Sequence, residues 1–337
     1  MTMLILRQLQ LKRLVAPLAV ASFMLAGSVT PALSTDFIAL GDMPYGHDQI
    51  GSLRYIGKKI RGGGYPFVVH YGDIKAGDEP CSDAVLKERR DIIYALMEGR
   101  VFYTPGDNDW TDCDRADAGG FDELERLTRL RELFFSEADL PSLPGAAVIR
   151  QSPAYPENAR WQYDGIRFVT LHIVGSDNGR AEIEHSDVDA ALAAVNARDA
   201  ANLAWLDAAF ADAEDTAAIV AFMQADPDDL ENRNERGTAC GPARPTDCNP
   251  YLTFLERLTE LADDFDKPVL LVHGSTNRFC LDTGFGGWRA PKLWRLNGPG
   301  DFVTIDAAVV HADPAARRPF QVHGLLSGDA VPACDGG

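Results

Sequence analysis

The chain has 337 residues, 50 acidic against 32 basic, for a net charge of −18, and 46% of it is hydrophobic. That apolar share supports a sizeable core, while a surface this acidic excludes nucleic acid as a partner and repels anionic membranes. No Ser/Gly linker, internal repeat, heptad seam or low-complexity stretch divides the sequence, so a single domain is expected over residues 35–337.

Residues 1–34 read as a signal peptide. Arg7, Lys12 and Arg13 precede an apolar stretch from Leu14 to Val29, and the small residues Ala32 and Ser34 mark a cut. The rival reading, an uncleaved membrane anchor, is weakened by the shortness of the run and by Pro17 and Gly27 within it. Export predicts a periplasmic or secreted protein with no stable membrane association after cleavage. Six cysteines follow the signal, an even number that favours disulfides outside the cytosol, and none has the CxxC spacing of a structural zinc site. Cys81 and Cys113 could staple two loops together, Cys240 and Cys248 bracket a short loop, and Cys280 with Cys334 follows only by elimination.

Apolar runs at Phe37–Leu40, Tyr65–Val69 and Arg100–Tyr103 read as buried strands. They end in GDMPYG, HYGDIKAG and TPGDNDW, so Asp42, Asp73 and Asp107 stand where a strand gives way to a glycine-containing turn. Further strands are expected at Arg167–Val174, Ala217–Met223, Pro268–His273 and Phe302–Ile305, and helices at about Gln49–Arg61, Ser82–Glu98, Phe121–Phe135, Asp187–Asp212 and Tyr251–Asp264. This alternation predicts an α/β layered fold. In such folds the strand-end loops meet in one crevice. One aspartate alone would be read as a turn former, but three in this arrangement point to a metal site. The loops Gln224-Ala225-Asp226-Pro227 and Gly274-Ser275-Thr276-Asn277 end two later strands.

From Asp36 to about Ile305 the order of these loops resembles the calcineurin-like metallophosphoesterases, which include the purple acid phosphatases. That family carries DxH, GDxxD, GNH followed by an acid, a lone His and GHxH. Gly72-Asp73, Pro105-Gly106 and Gly274-x-Thr276 match in place, and PGDNDWTDC also looks like an exported bacterial branch. Asp42 and Asp73 fit the first and the bridging aspartate, while Pro44 and Ala76 replace the His and second Asp that follow them. Asp107 takes the metal-binding Asn position and Asn108 that of the catalytic His. Gln224 replaces the lone His, and Ser275 and Asn277 the two His of GHxH.

The resemblance implies a four-layer sandwich, two mixed β-sheets flanked by helices, and metal-dependent hydrolysis of small phosphate esters. The implied ligand set is Asp42, Asp73, Asp107, Gln224, Ser275 and Asn277, with His273 a possible addition. Carboxylate, amide and hydroxyl oxygens favour Mg²⁺, Mn²⁺ or Ca²⁺ over Zn²⁺ or Fe, with one or two ions bound. Asn108 is expected to orient substrate, Lys75 to meet an anionic group and Asp109 to assist in catalysis. His70 and His172 are expected in the core, and Tyr45 and Trp110 could wall the site. The rival reading is a non-catalytic binding protein that kept the fold and lost the histidines.

Overall fold

The computed structural model describes residues 34–228, 237–276 and 278–334. The expected signal peptide, apart from Ser34, and the candidate ligand Asn277 lie outside the described residues. The strands are β1 (Thr35–Leu40), β2 (Val68–His70), β3 (Val101–Tyr103), β4 (Ile149–Ser152), β5 (Tyr155–Tyr163), β6 (Ile166–Thr170), β7 (Ala218–Phe222), β8 (Val269–His273), β9 (Cys280–Asp282), β10 (Leu293–Asn297), β11 (Ala308–Ala312) and β12 (Phe320–Gly324). The helical segments are α1 (Gly46–Gly63), α2 (Asp83–Tyr94), α3 (Glu123–Phe134), α4 (Gly175–Gly179), α5 (Val188–Phe210) and α6 (Leu252–Phe265).

Two mixed sheets form. One runs β12-β11-β1-β2-β3 and the other β4-β5-β6-β7-β8-β10-β9. Strands β1, β2 and β3 pair in parallel, as do β6, β7, β8 and β10. Parallel strands covered on both faces read as continuous apolar runs, which is why these were visible in the sequence. Phe37, Val69 and Phe102 meet Trp161, Phe168, Phe222 and Val272 between the sheets, with Phe102 stacked on Trp161 at 3.5 Å between ring centroids. Ile38, Leu40 and Val68 point the other way, against Leu53 and Ile56 of α1, Leu86 of α2 and Leu130 of α3. On the second sheet Leu171, Val269 and Leu271 pack against Leu206 of α5 and Leu258 of α6. The result is the expected four-layer α/β sandwich.

Three of these helices, α2, α3 and α5, begin at a side-chain cap. Ser82, Asp122 and Asp187 accept the N–H of Val85, Glu125 and Ala190, each cap stabilising by about 1 kcal/mol. Segment α4 is a single turn whose Ser176, Asp177 and Asn178 have φ of 50°, 51° and 59°. The expected strand at Phe302–Ile305 is instead a loop with Phe302 71% exposed. Among the described residues no helix is long and apolar enough to cross a membrane.

Cys81–Cys113, Cys240–Cys248 and Cys280–Cys334 are disulfide-bonded, and no described cysteine is free. Denatured protein kept from reductant is therefore expected to show no mass gain on alkylation; any alkylated cysteine would contradict these pairings.

Buried Glu123, whose Oε1 has no hydrogen-bond partner, is pushed up to about 7 by burial against the pull of Arg198. A carboxyl raised above its unfolded value of 4.5 contributes stability that is present at low pH and lost as pH rises through about 7. Glu123→Gln is expected to remove on the order of 2 kcal/mol of the stability difference between pH 5 and pH 8. Denaturant midpoints at the two pH values measure this, and parallel curves for both proteins would contradict it.

Candidate active site

Asp42 and Asp73 both follow strand ends in left-handed backbone, φ 49° and 55°, a conformation that Asp tolerates better than most side chains. The N–H of Asp42 donates to Gly72 O at 3.0 Å, tying the first two loops together. Both carboxylate oxygens of Asp42 accept the Ser275 N–H, at 3.1 and 3.0 Å, which brings in the loop after β8. Asp73 receives more donors. Its Oδ1 accepts Asn108 N–H at 3.1 Å, and its Oδ2 accepts Tyr45 OH at 3.0 Å, Asn108 Nδ2 at 3.2 Å and Gln224 Nε2 at 3.0 Å. Asp107 Oδ2 accepts Ser176 Oγ at 2.9 Å, whereas its Oδ1 is buried with no hydrogen-bond partner.

Each carboxylate lies against a glycine. A Cβ on Gly274, Gly106 or Gly175 would fall 1.9 Å from Asp42 Oδ2, 2.0 Å from Asp73 Oδ1 or 2.5 Å from Asp107 Oδ2. Six strand-end loops, those after β1, β2, β3, β6, β7 and β8, thus meet at three buried acids. Burial holds Asp42 and Asp73 well above the usual carboxylate range, and repulsion from Asp107 adds to it in both. Asp112 is pushed up to about 8, again by burial and by Asp107, although Arg115 pairs with it at 2.9 Å. Among the described residues no lysine or arginine forms an ion pair with Asp42, Asp73 or Asp107.

The donor set is mixed for a metal. Among the described residues no group of three or more His, Cys, Asp or Glu side chains is arranged to hold an ion. The carboxylates of Asp42 and Asp107 have oxygens to offer, the latter an orphaned one, while those of Asp73 are already ringed by donors. Gln224 takes the Gly175 N–H on its Oε1 at 2.6 Å and turns its nitrogen to Asp73, so it is placed as a hydrogen-bond donor to the carboxylate. Ser275 contributes its backbone N–H to Asp42.

Two residues expected in catalysis are committed elsewhere. Asp109 is fully buried and accepts the N–H groups of Asp73, Ile74 and Gly106 at 3.0, 2.8 and 2.8 Å, plus Tyr103 OH at 2.7 Å. It clamps the second loop to the third. Lys75 is also fully buried, donating to Ala76 O at 3.0 Å. Burial lowers its pKa against the pull of Asp109, Asp112 and Asp73, and its side chain lies inside the loops, away from solvent.

The histidines follow strand alternation. Val269 and Leu271 face the helices and Leu270 and Val272 face the other sheet, so His273 falls on the helix side, as His70 does after Val68 and Val69. His70 bonds Met43 O at 2.9 Å, and His172 pairs with Glu157 at 2.8 Å. Trp110 is buried beneath Arg198, 5.0 Å from its ring centroid. The aromatic edge of the site is Tyr45, which packs at 5.1 Å against exposed Phe302. Sequence reasoning missed Phe302 in this role, as well as Ser176, Asp112 and Arg115. The Gly175-Ser176 turn after an apolar run carried the same signal as the other loops.

No family model matches the sequence, and no curated protein matches it. Among solved structures the chain is similar to a dimetal phosphatase from Danio rerio, with a TM-score of 0.50 and 15% identity, covering 88% of this chain and 96% of that one. GAP50, the anchor in the inner membrane complex of Plasmodium, has a TM-score of 0.46 and 13% identity, covering 88% and 87%. The NAD nucleotidase of Haemophilus influenzae has a TM-score of 0.38 and 12% identity, covering 91% and 54%. Two mixed sheets and the first of these likenesses agree: the chain shares the fold of this dimetal phosphatase, the fold that the sequence resemblance implied.

Proposed function

We propose that the protein is an exported hydrolase of small phosphate esters that works with an oxygen-ligated divalent cation, Mg²⁺, Mn²⁺ or Ca²⁺. Asp42, Asp73 and Asp107 would hold it, Asp73 bridging if there are two. The observation that carries this reading is three buried carboxylates with no paired lysine or arginine among the described residues, one of them with an orphaned oxygen. Like charges brought together in a low dielectric call for a cation or for protons. When bound, such an ion polarises a phosphoryl oxygen and lowers the pKa of its water. The chain's own residues hold the arrangement: Tyr45 and Gln224 fix Asp73, and half-buried Asn108 would orient the ester beside it. The shared fold with a dimetal phosphatase supports phosphate as the group acted on.

One observation favours the rival reading, a binding protein without chemistry: Asp73 already accepts four N–H and O–H groups, which an ion would have to displace. Hydrolysis of aryl phosphates, nucleotides and phosphodiesters by the mature protein, with chelator and then with added Mn²⁺ or Mg²⁺, separates the two. The hydrolase reading expects turnover that chelator removes and metal restores. Metal uptake or ester binding without turnover would favour the binding protein.

A further inference from the structure

Asp226, His273 and Asn297 stand at or just beyond the ends of β7, β8 and β10, three adjacent strands, and His273 and Asn297 are direct partners in the parallel pairing. The hydrogen bonds fix what each side chain has left to offer. His273 Nδ1 lies 3.0 Å from Gly274 O, and a carbonyl only accepts, so the ring proton is on Nδ1 and Nε2 carries a lone pair. That Nε2 is fully buried and has no partner. Asn297 spends Nδ2 on Thr276 Oγ1 at 2.5 Å and on Asp226 Oδ2 at 3.5 Å, which leaves Oδ1 as its acceptor; it too is buried without a partner. The Thr276 hydroxyl donates to Asp226 Oδ2 at 2.8 Å.

A buried acceptor left without a donor is destabilising, and here two of them adjoin a buried carboxylate. Asp226 is the strongest charge acting on the His273 ring, yet no hydrogen bond joins its carboxylate to Nε2. Arg295 pairs with Asp228 and lies 3.7 Å from Asp226 and 3.6 Å from Asp282, so one guanidinium faces three acids and the surroundings stay negative. A neutral imidazole whose second nitrogen is pinned to a backbone carbonyl is the usual form of a metal-ligating histidine.

We propose that His273 Nε2, Asn297 Oδ1 and the Asp226 carboxylate form a cation site separate from the Asp42–Asp73–Asp107 cluster. Imidazole nitrogen beside carboxylate and amide oxygens suits a borderline divalent ion of the zinc class better than magnesium. The site uses none of the three strand-end aspartates, so it stands whether or not the chain is a hydrolase.

Calorimetric titration of the metal-free full chain with Zn²⁺ tests it, in wild type, Asp107→Asn, His273→Gln and Asn297→Asp. One zinc equivalent is expected to persist in Asp107→Asn, to weaken at least tenfold in His273→Gln and to tighten in Asn297→Asp. In ¹⁵N-labelled wild type, added zinc should shift the His273 Nε2 resonance. That measurement decides the matter if His273→Gln does not fold. Zinc uptake that is equal in wild type and His273→Gln, or an unmoved His273 ring, would mean an internal water at most and would overturn the proposal.

Discussion

Alkyl phosphomonoesters are expected to be turned over far more slowly than aryl phosphates or phosphoanhydrides, and Asn108→His to close much of that gap. By the sequence resemblance Asn108 takes the place of the family's catalytic histidine, and its amide donates to Asp73 and to Tyr45 OH. A carboxamide does not give a proton to a departing alkoxide at useful cost, whereas a positioned general acid contributes about 10²- to 10⁴-fold. Asp109 and Lys75 cannot substitute, since both are buried and committed within the loops. A series of substituted aryl phosphates, with chemistry shown to limit the rate, should give a steep dependence on leaving-group pKa in wild type and a shallower one in Asn108→His. A shallow wild-type slope would identify another acid at work, with Tyr45, the phenol on Asp73, the first to examine.

Gly274→Ala is expected to weaken cation binding at least tenfold and to destabilise the fold by about 1–3 kcal/mol, the range for forcing an extra carbon into a packed site. The new Cβ would meet Asp42 Oδ2 at 1.9 Å and Tyr71 Cε2 at 2.7 Å. Neither yields freely, because Asp42 is held by the Ser275 N–H and Tyr71 OH donates to Pro299 O at 2.7 Å. Gly51→Ala, in α1 with nothing within 4 Å of its Cβ, is the control and should stabilise by about 0.5–1 kcal/mol. Mn²⁺ isotherms and denaturant midpoints of the two variants read both effects. Unchanged Mn²⁺ affinity in Gly274→Ala would show that the carboxylate of Asp42 has no part in the site.

What the sequence disclosed follows from the strands. Those buried on both faces gave continuous apolar runs, and the abrupt change to Gly-Asp or Gly-Ser located Asp42, Asp73 and Ser275 at their ends. Strand β5 was hidden because Glu157 and Asn158 are polar residues buried in hydrogen bonds with His172, Arg131 and Gln151, so the run does not read as apolar. In β10 Arg295 interrupts the pattern, and its guanidinium serves the acids around Asp226. The Phe302–Ile305 run misled for the opposite reason: it is apolar but follows Gly298-Pro299-Gly300-Asp301, and its Phe302 lies against Tyr45 at the site edge. His70 and His273 invited recruitment by position alone, yet counting two residues at a time along β2 and β8 already places them on the helix-packed faces. The orientation of Gln224 and the commitment of Lys75 and Asp109 were beyond reach, because they depend on partners from other strands.

Equilibrium Mn²⁺ binding to the metal-free protein, followed alongside turnover of an aryl phosphate in wild type and Asp73→Asn, tests the proposed site most directly. Hydrolysis should rise in step with occupancy, and in Asp73→Asn both should fall, the rate by on the order of 10³-fold, as expected for losing several kcal/mol of charge stabilisation. Equal Mn²⁺ affinity in the two proteins, or hydrolysis that persists without metal, would contradict the account.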